Sequence, residues 1–197
     1  MSHPERHSGF TLVELLIVIV LSAVLVTSMY VFFNSSLLQY FTLQKDGTYF
    51  TDLAMQSQRI ANVVRGATDI TTASPDDLVL YAYFSPKDSV VSQVHYYENA
   101  TKTVLYADVT PMTANPPDGT LVTSQARTYT IIPNFYQAPG THLFAYLDAA
   151  GNPLSVPISD LHTIKGVTIN LAVPSTSKDK GQSLVLQVSL RNRKTNL

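Results

Sequence analysis

The sequence predicts an α+β protein, with a long N-terminal helix packed on a C-terminal antiparallel β-sheet domain. Three observations predict it. Residues 15–33 run for 19 positions without a charge, glycine or proline. Residues 34–66 keep apolar side chains at mostly helical spacing, with polar ones between them. From Ala67 onward the apolar period falls to two, broken repeatedly by Gly, Pro, Asn and Asp.

The chain opens on a polar head, residues 1–9, which carries Glu5, Arg6, His3 and His7. Its positive-inside signal rests on Arg6 and the terminal amine. As a helix, residues 15–33 reach roughly 28 Å, the thickness of one hydrocarbon core. A secretory signal has a shorter apolar core, of about 7–15 residues, followed by small residues at its cleavage site. Here the small pair Ser8-Gly9 comes before the apolar run instead. The expected membrane-spanning segment is 10–33, and 34–66 is its amphipathic continuation.

In that continuation Leu38, Phe41, Tyr49, Phe50, Leu53, Ile60, Val63 and Val64 form the apolar side. Lys45, Asp46, Asp52, Arg59, Asn62 and Arg65 fill much of the other. Gly47 is a soft spot in the helix. Gly66 fits a C-terminal stop, with Arg65 favourable in the last turn. Residues 10–65 thus read as one helix of about 84 Å, well beyond ordinary globular length.

Residues 67–197 read as an antiparallel β domain expected on the extracytoplasmic side. Leu78, Leu80, Ala82 and Phe84 alternate with Val79, Tyr81 and Tyr83. The runs 92–98 and 102–108 flank "NAT" as a hairpin. Strands are also expected at 126–132, 142–148, 166–173 and 183–190, and "DLHTI", 160–164, reads as a turn or a single helical turn. Turn chemistry separates them in "SPDD", "SPKD", "NPPDG", "APG", "AAGNP" and "SKDKG".

Composition excludes several classes of function. Charged residues make up 14% of the 197, against an average near 25%, and none lies between Glu14 and Lys45. There is no cysteine, so disulfides, thiolate metal sites and cysteine nucleophiles are excluded. A net charge of −1 does not suit a strongly basic nucleic-acid binder, and no nucleic-acid partner is expected. No G-x-S-x-G, Walker or G-x-G-x-x-G motif occurs, so neither catalysis nor a cofactor is expected.

The informative residue is Glu14, an acid at the head of the apolar run. A charge in a bilayer core is unfavourable by roughly 2.5 kcal/mol or more. One explanation is local: Thr11-Leu12-Val13-Glu14 matches the S/T-x-x-E capping box, and a first-turn carboxylate gains from the helix dipole. The other uses the polar head. A cut between Gly9 and Phe10 gives Phe10 a free, charged amine. Glu14 shares its helix face, but a chain's own amine sits in the same first turn and pairs poorly. A neighbouring chain offset along a helix bundle can present its amine to Glu14 instead. In a dry stack such a pair is worth far more than on a surface, because either charge alone is costly. Small Ser22 and Ala23 permit close helix approach.

These residues carry a resemblance. "G-FTLVELLIVIVLSAVL" resembles the N-terminal cleavage and methylation segment of type IV prepilins and type II secretion pseudopilins. The match covers Gly9, Phe10, Thr11, Leu12, Glu14 and the apolar run. It implies that residues 1–9 are a leader cut by prepilin peptidase after Gly9, and that Phe10 becomes the N-methylated first residue. It implies that Glu14 is the carboxylate that pairs with the amine of a neighbour. The implied partners are other pilin or pseudopilin subunits, the peptidase, an inner-membrane assembly platform and lipid, with the chain first in the cytoplasmic membrane and then in a filament. A looser similarity to J-type minor pseudopilins rests on 143–154, 164–173 and 184–192. The run "SMYVFF" lacks the proline common in the membrane helix of major pilins, and the cysteine pair of many pilins is absent. Both departures point to a minor or pseudopilin-like subunit. The alternatives are a single-pass anchored extracytoplasmic binding protein that never polymerises, and a DNA-uptake pilin.

Other constellations read more simply. His95, His142 and His162 lie on separate segments without ligand spacing. Asp76, Asp77, Asp118 and Asp148 lie in loops, where calcium is one reading and solvated turn residues the other. Asn99-Ala100-Thr101 matches a glycan acceptor and equally an ordinary hairpin turn. Arg191, Arg193 and Lys194 form a small basic tail, read as a solvated terminus.

Overall fold

The computed structural model describes residues 11–175 and 181–191. The chain divides into two compact units, 1–45 and 46–197. The first helix, α1 (Leu12–Arg65), contributes to both. It is followed by antiparallel β-sheets, so the α+β, pilin-like arrangement expected from the sequence is the observed one. The helix continues unbroken through Gly47, and an added Cβ there would meet nothing within 4 Å.

In the first unit the large apolar side chains of α1 are exposed, from Leu12 at 80% to Phe32 at 74%. Leu38 and Phe41, read from the sequence as part of the apolar side, are exposed as well.

In the second unit that face is buried. Leu53, Ser57, Ile60 and Val64 are almost fully enclosed, at intervals of four, three and four that trace one helical stripe. Ala61 and Val63 widen it. Asp46, expected on the polar side, is also buried, and its carboxylate accepts a hydrogen bond of 3.1 Å from the Ser175 hydroxyl. At the C-terminal end the Gly66 N–H donates to the carbonyls of Asn62 and Val63, both at 3.1 Å, and Arg65 reaches Asn62 Oδ1 at 2.9 Å. These bonds tighten the last turn and satisfy carbonyls left over where the helix stops.

Among the described residues nine strands follow: β1 (Asp69–Ala73), β2 (Asp77–Ala82), β3 (Ser92–Glu98), β4 (Leu105–Pro111), β5 (Arg127–Ile132), β6 (Phe144–Leu147), β7 (Pro153–Leu154), β8 (Gly166–Val173) and β9 (Gln182–Ser189). The first five form a meander in chain order, and the other four a second sheet ordered β7-β6-β8-β9. Every pairing is antiparallel. The expected alternation holds: Leu78, Leu80, Ala82 and Phe84 are buried, as are Val167, Ile169, Leu171 and Val173. Residues 161–163 form the single short turn expected there, a 3-10 turn with Asp160 Oδ1 accepting from the His162 N–H. The two sheets share one core with the end of α1.

Polar contacts fasten the second sheet to the first. The Tyr146 ring on β6 is wholly buried, and its hydroxyl donates to the Ser74 carbonyl at 2.7 Å in the turn between β1 and β2. Burial pushes this phenol far above its usual pKa. In the same turn Asp76 Oδ1 accepts from the Leu143 N–H at 3.0 Å and Gln137 Nε2 at 2.8 Å. Its Oδ2 faces Lys102 Nζ at 3.4 Å, and that ammonium also pairs with Glu98 at 2.7 Å and donates to Gln137. Partial burial pushes the Asp76 carboxyl up, but the Leu143 N–H, the Lys102 charge and the Gln137 amide together hold it below the ordinary aspartate value.

Two outcomes follow from this packing. Ile60→Ala, at a fully buried position, lowers the unfolding free energy of the 46–197 unit by roughly 2–5 kcal/mol. Leu25→Ala, at a position 65% exposed, leaves it unchanged, and denaturant titration of the full chain in detergent measures both. The depressed Asp76 pKa means that the unfolded chain binds this proton more readily than the folded one. Its stabilisation is complete above the ordinary aspartate value, near 4, and is lost as pH falls through the lower folded value. Asp76→Asn therefore destabilises by about 1–2 kcal/mol at pH 7. The gap to the parent closes below about pH 4, read from melting temperatures across a pH series.

Candidate assembly site

The site is built at the first turn of α1. Thr11 precedes the helix and caps it, its Oγ1 accepting from the Glu14 N–H at 3.3 Å. Glu14 folds back so that its Oε2 accepts from the Thr11 N–H at 3.0 Å and from the Thr11 hydroxyl at 2.9 Å. The Leu15 N–H closes the first turn on the Thr11 carbonyl at 3.2 Å. This is the reciprocal capping box read from the sequence, and it satisfies donors that a helix start leaves open. Sequence and local geometry agree because both halves of the motif lie within four residues.

The cap uses only half of the carboxylate. Among the described residues, no hydrogen bond reaches Glu14 Oε1 and no basic side chain forms an ion pair with Glu14. The next charged residue along the chain is Lys45. Thr11 and Glu14 are exposed, as is every residue that follows up to Lys45. The site thus presents an anion beside an unpaired apolar surface. Gly9 and Phe10, the expected cut and methylation positions, lie outside the described residues. So do Glu5, Arg6, His3 and His7 in the head, and Arg193 and Lys194 in the tail.

Behind Glu14 the helix manages its remaining polar groups internally. Thr27 donates to the Ala23 carbonyl at 2.8 Å, Ser28 to Val24 at 2.8 Å, Ser36 to Phe32 at 2.9 Å and Thr42 to Leu38 at 2.9 Å. A hydroxyl bonded to its own helix does not need water, which suits an apolar surrounding. Ala23, Thr27, Ser28 and Ser35 also share a shallow groove with Val24, Val31 and Phe32, where short side chains leave the backbone approachable. The serines and threonines of this groove carried no signal in the sequence beyond Ser22 and Ala23. Counting small residues at intervals of three and four would have found them.

The other sequence candidates disperse. His95 meets Asp77 at 3.0 Å and stacks on Tyr97, while His142 lies 3.4 Å from Asp76. Asp148 accepts from the N–H groups of Ala150 and Asn152, both at 2.8 Å, and these bonds lower its pKa with that of the Asn152 amide. Among the described residues no group of three or more His, Asp or Glu side chains is placed to hold a metal. Asn99 is a turn residue: its Oδ1 accepts from Thr103 N and Val104 N, and its Nδ2 donates to Thr101 and Thr103. Arg191 is exposed.

Among the described residues, α1 is the one helix long and apolar enough to cross a membrane, with a mean hydropathy of 2.7 over its most apolar window. Residues 6–30 match a protein family described as the prokaryotic N-terminal methylation motif. This is a type IV prepilin-like cleavage and methylation segment, as its residues indicated, and it supports a pilin- or pseudopilin-like precursor. The motif is a structural, pilin-type one and is not known as enzymatic. No curated protein matches the chain.

The cap geometry makes its own prediction. Thr11→Ala removes both the acceptor for the Glu14 N–H and the hydroxyl donor, and costs the first turn about 1 kcal/mol. Hydrogen exchange at the amides of residues 12–15 in micelles then speeds up about fivefold, while exchange beyond residue 20 is unchanged.

Proposed function

We propose that this chain is a minor pilin or pseudopilin subunit that enters a type IV pilus-like or type II secretion filament through α1. Residues 1–9 are its leader, removed by prepilin peptidase after Gly9. Residues 10–33 are held in the cytoplasmic membrane until assembly, with 34–66 continuing the helix and 67–197 outside the membrane. Phe10 carries the methylated amine, which remains positively charged, and Glu14 accepts it from the neighbouring subunit. The absent cysteine pair and the helix without proline favour a minor subunit, with the J-type pseudopilins as the subtype. The assembly platform and the other subunits of the filament are its partners.

One observation carries the reading: a carboxylate with an oxygen left open among the described residues, at the head of an uncharged helix and inside a segment that matches the methylation motif. The capping box favours a second reading, in which Glu14 only starts the helix of an anchored extracytoplasmic binding protein.

Glu14→Gln separates the two, because glutamine keeps an acceptor for Thr11 and loses the charge. In the assembly reading the variant inserts in the membrane normally, and its recovery in sheared filaments falls at least about tenfold, the equivalent of 1.4 kcal/mol. Glu14→Leu behaves the same way. Normal recovery of both variants removes the charge-pairing role. Mass spectrometry of the native N-terminus gives the independent check. N-methylated Phe10 is expected, whereas an intact Met1 or a cut near Ser28 belongs to the anchored protein.

A further inference from the structure

The two sheets end in four outer strands, and three of them are poor templates for a further strand. β1 is irregular between Ile70 and Thr72, and the turn at 161–163 packs beside it. β5 begins at Arg127 and pairs with β4 through a register shift at Leu105/Tyr106. β7 is two residues long and starts with Pro153. These are devices by which natural sheets discourage edge-to-edge pairing.

β9 has none of them. It is eight residues, "QSLVLQVS", with no charge, proline or glycine, and all eight pair with β8 in unbroken register. The Leu190 N–H donates to the Lys165 carbonyl at 2.9 Å, in line with that register. Antiparallel bonding alternates along a strand, so the even-numbered residues of β9 bond to β8. Ser183, Val185, Gln187 and Ser189 turn their N–H and C=O groups the other way. Among the described residues nothing bonds to those groups, and all four residues are exposed. On the opposite face Leu184 and Leu186 point to the core yet stay only half-buried, and among the described residues no strand lies beyond them.

The strand is also complementary to itself. Pairing β9 with a second β9 antiparallel about Leu186 sets Leu186 against Leu186, Leu184 against Val188, Ser183 against Ser189 and Val185 against Gln187. Apolar residues then meet on the core face, and on the outer face serine meets serine and Val185 lies against the Gln187 stem, without juxtaposed charges. An interface of this kind is isologous, as in most homodimers. We propose that β9 is a self-association edge. A second copy of this chain adds its own β9 antiparallel, joining two four-stranded sheets into one of eight and covering Leu184 and Leu186. The surface is independent of the Glu14 site, so it stands or falls apart from filament assembly.

The chain has no cysteine, which makes cross-linking clean. Val185 and Gln187 are exposed, so a cysteine at either leaves the fold intact. In the proposed pair their Cα atoms lie about 5.5 Å apart, within disulfide reach, whereas like positions lie about 8–9 Å apart, outside it. Full-length Val185→Cys and Gln187→Cys proteins are mixed in detergent and oxidised. The expected result is a mixed disulfide dimer at least about tenfold more abundant than either variant gives alone. Val185→Lys abolishes the dimer seen by analytical ultracentrifugation while the melting curve is unchanged. A folded protein that yields no preferential mixed disulfide overturns the proposal, as does a dimer that persists in Val185→Lys. A monomer whose Ser183, Val185, Gln187 and Ser189 amides are protected from hydrogen exchange also overturns it, by assigning the edge to a different strand.

Discussion

The rest of this structure depends on the requirement that apolar surface leave water, which α1 meets along only part of its length. Leu53, Ile60 and Val64 are enclosed by strands, and each such side chain contributes roughly 1.5–3 kcal/mol on burial. From Leu12 to Phe41 the same helix carries at least as much apolar surface and encloses none of it. The hydroxyls of Thr27, Ser28, Ser36 and Thr42 are bonded back to their own backbone, so this stretch asks for no water either. It requires an apolar surrounding that a single chain does not supply, and lipid and partner helices both meet that requirement.

Against that background Glu14 is informative because it breaks the pattern at one point. Its Oε2 is committed to Thr11, which explains why the residue is tolerated at a helix start. Its charge is balanced by nothing within the described part of the chain. A cap alone does not require an acid, since glutamine serves the same geometry. The ionised form is useful where a cation arrives from elsewhere, and in the proposed function that cation is the amine of a processed N-terminus.

Much of the fold was legible because its signals are local. A charge-free run, a glycine after an arginine, and alternation around an Asn-Ala-Thr turn each act within a few residues. They gave the helix end at Arg65 and β3 at its observed bounds, with β4 expected three residues ahead of where it lies. What was not legible depends on partners distant in the chain. The burial of Asp46 depends on Ser175, and the division of nine strands into two sheets depends on how β6 reaches β8 past β7. The exposure of Leu38 and Phe41 is of the same kind, because helical spacing marks a face that wants covering without saying what covers it. The capping half of the Glu14 site was readable in Thr11-Leu12-Val13-Glu14, and its open oxygen was visible only once the geometry assigned both bonds to Oε2.

The buried tyrosine between the sheets carries a consequence of its own. The Tyr146 hydroxyl spans from one sheet to the turn of the other, and Asp76 in that turn holds the chain where it enters β6. Were the sheets to part, the Ser74 carbonyl and the Asp76 carboxylate would lose these partners and the apolar core shared by both layers would meet water. The two layers are therefore one thermodynamic body. A fluorophore on either would report a single melting event, and a lesion in one would lower the melting temperature read from both.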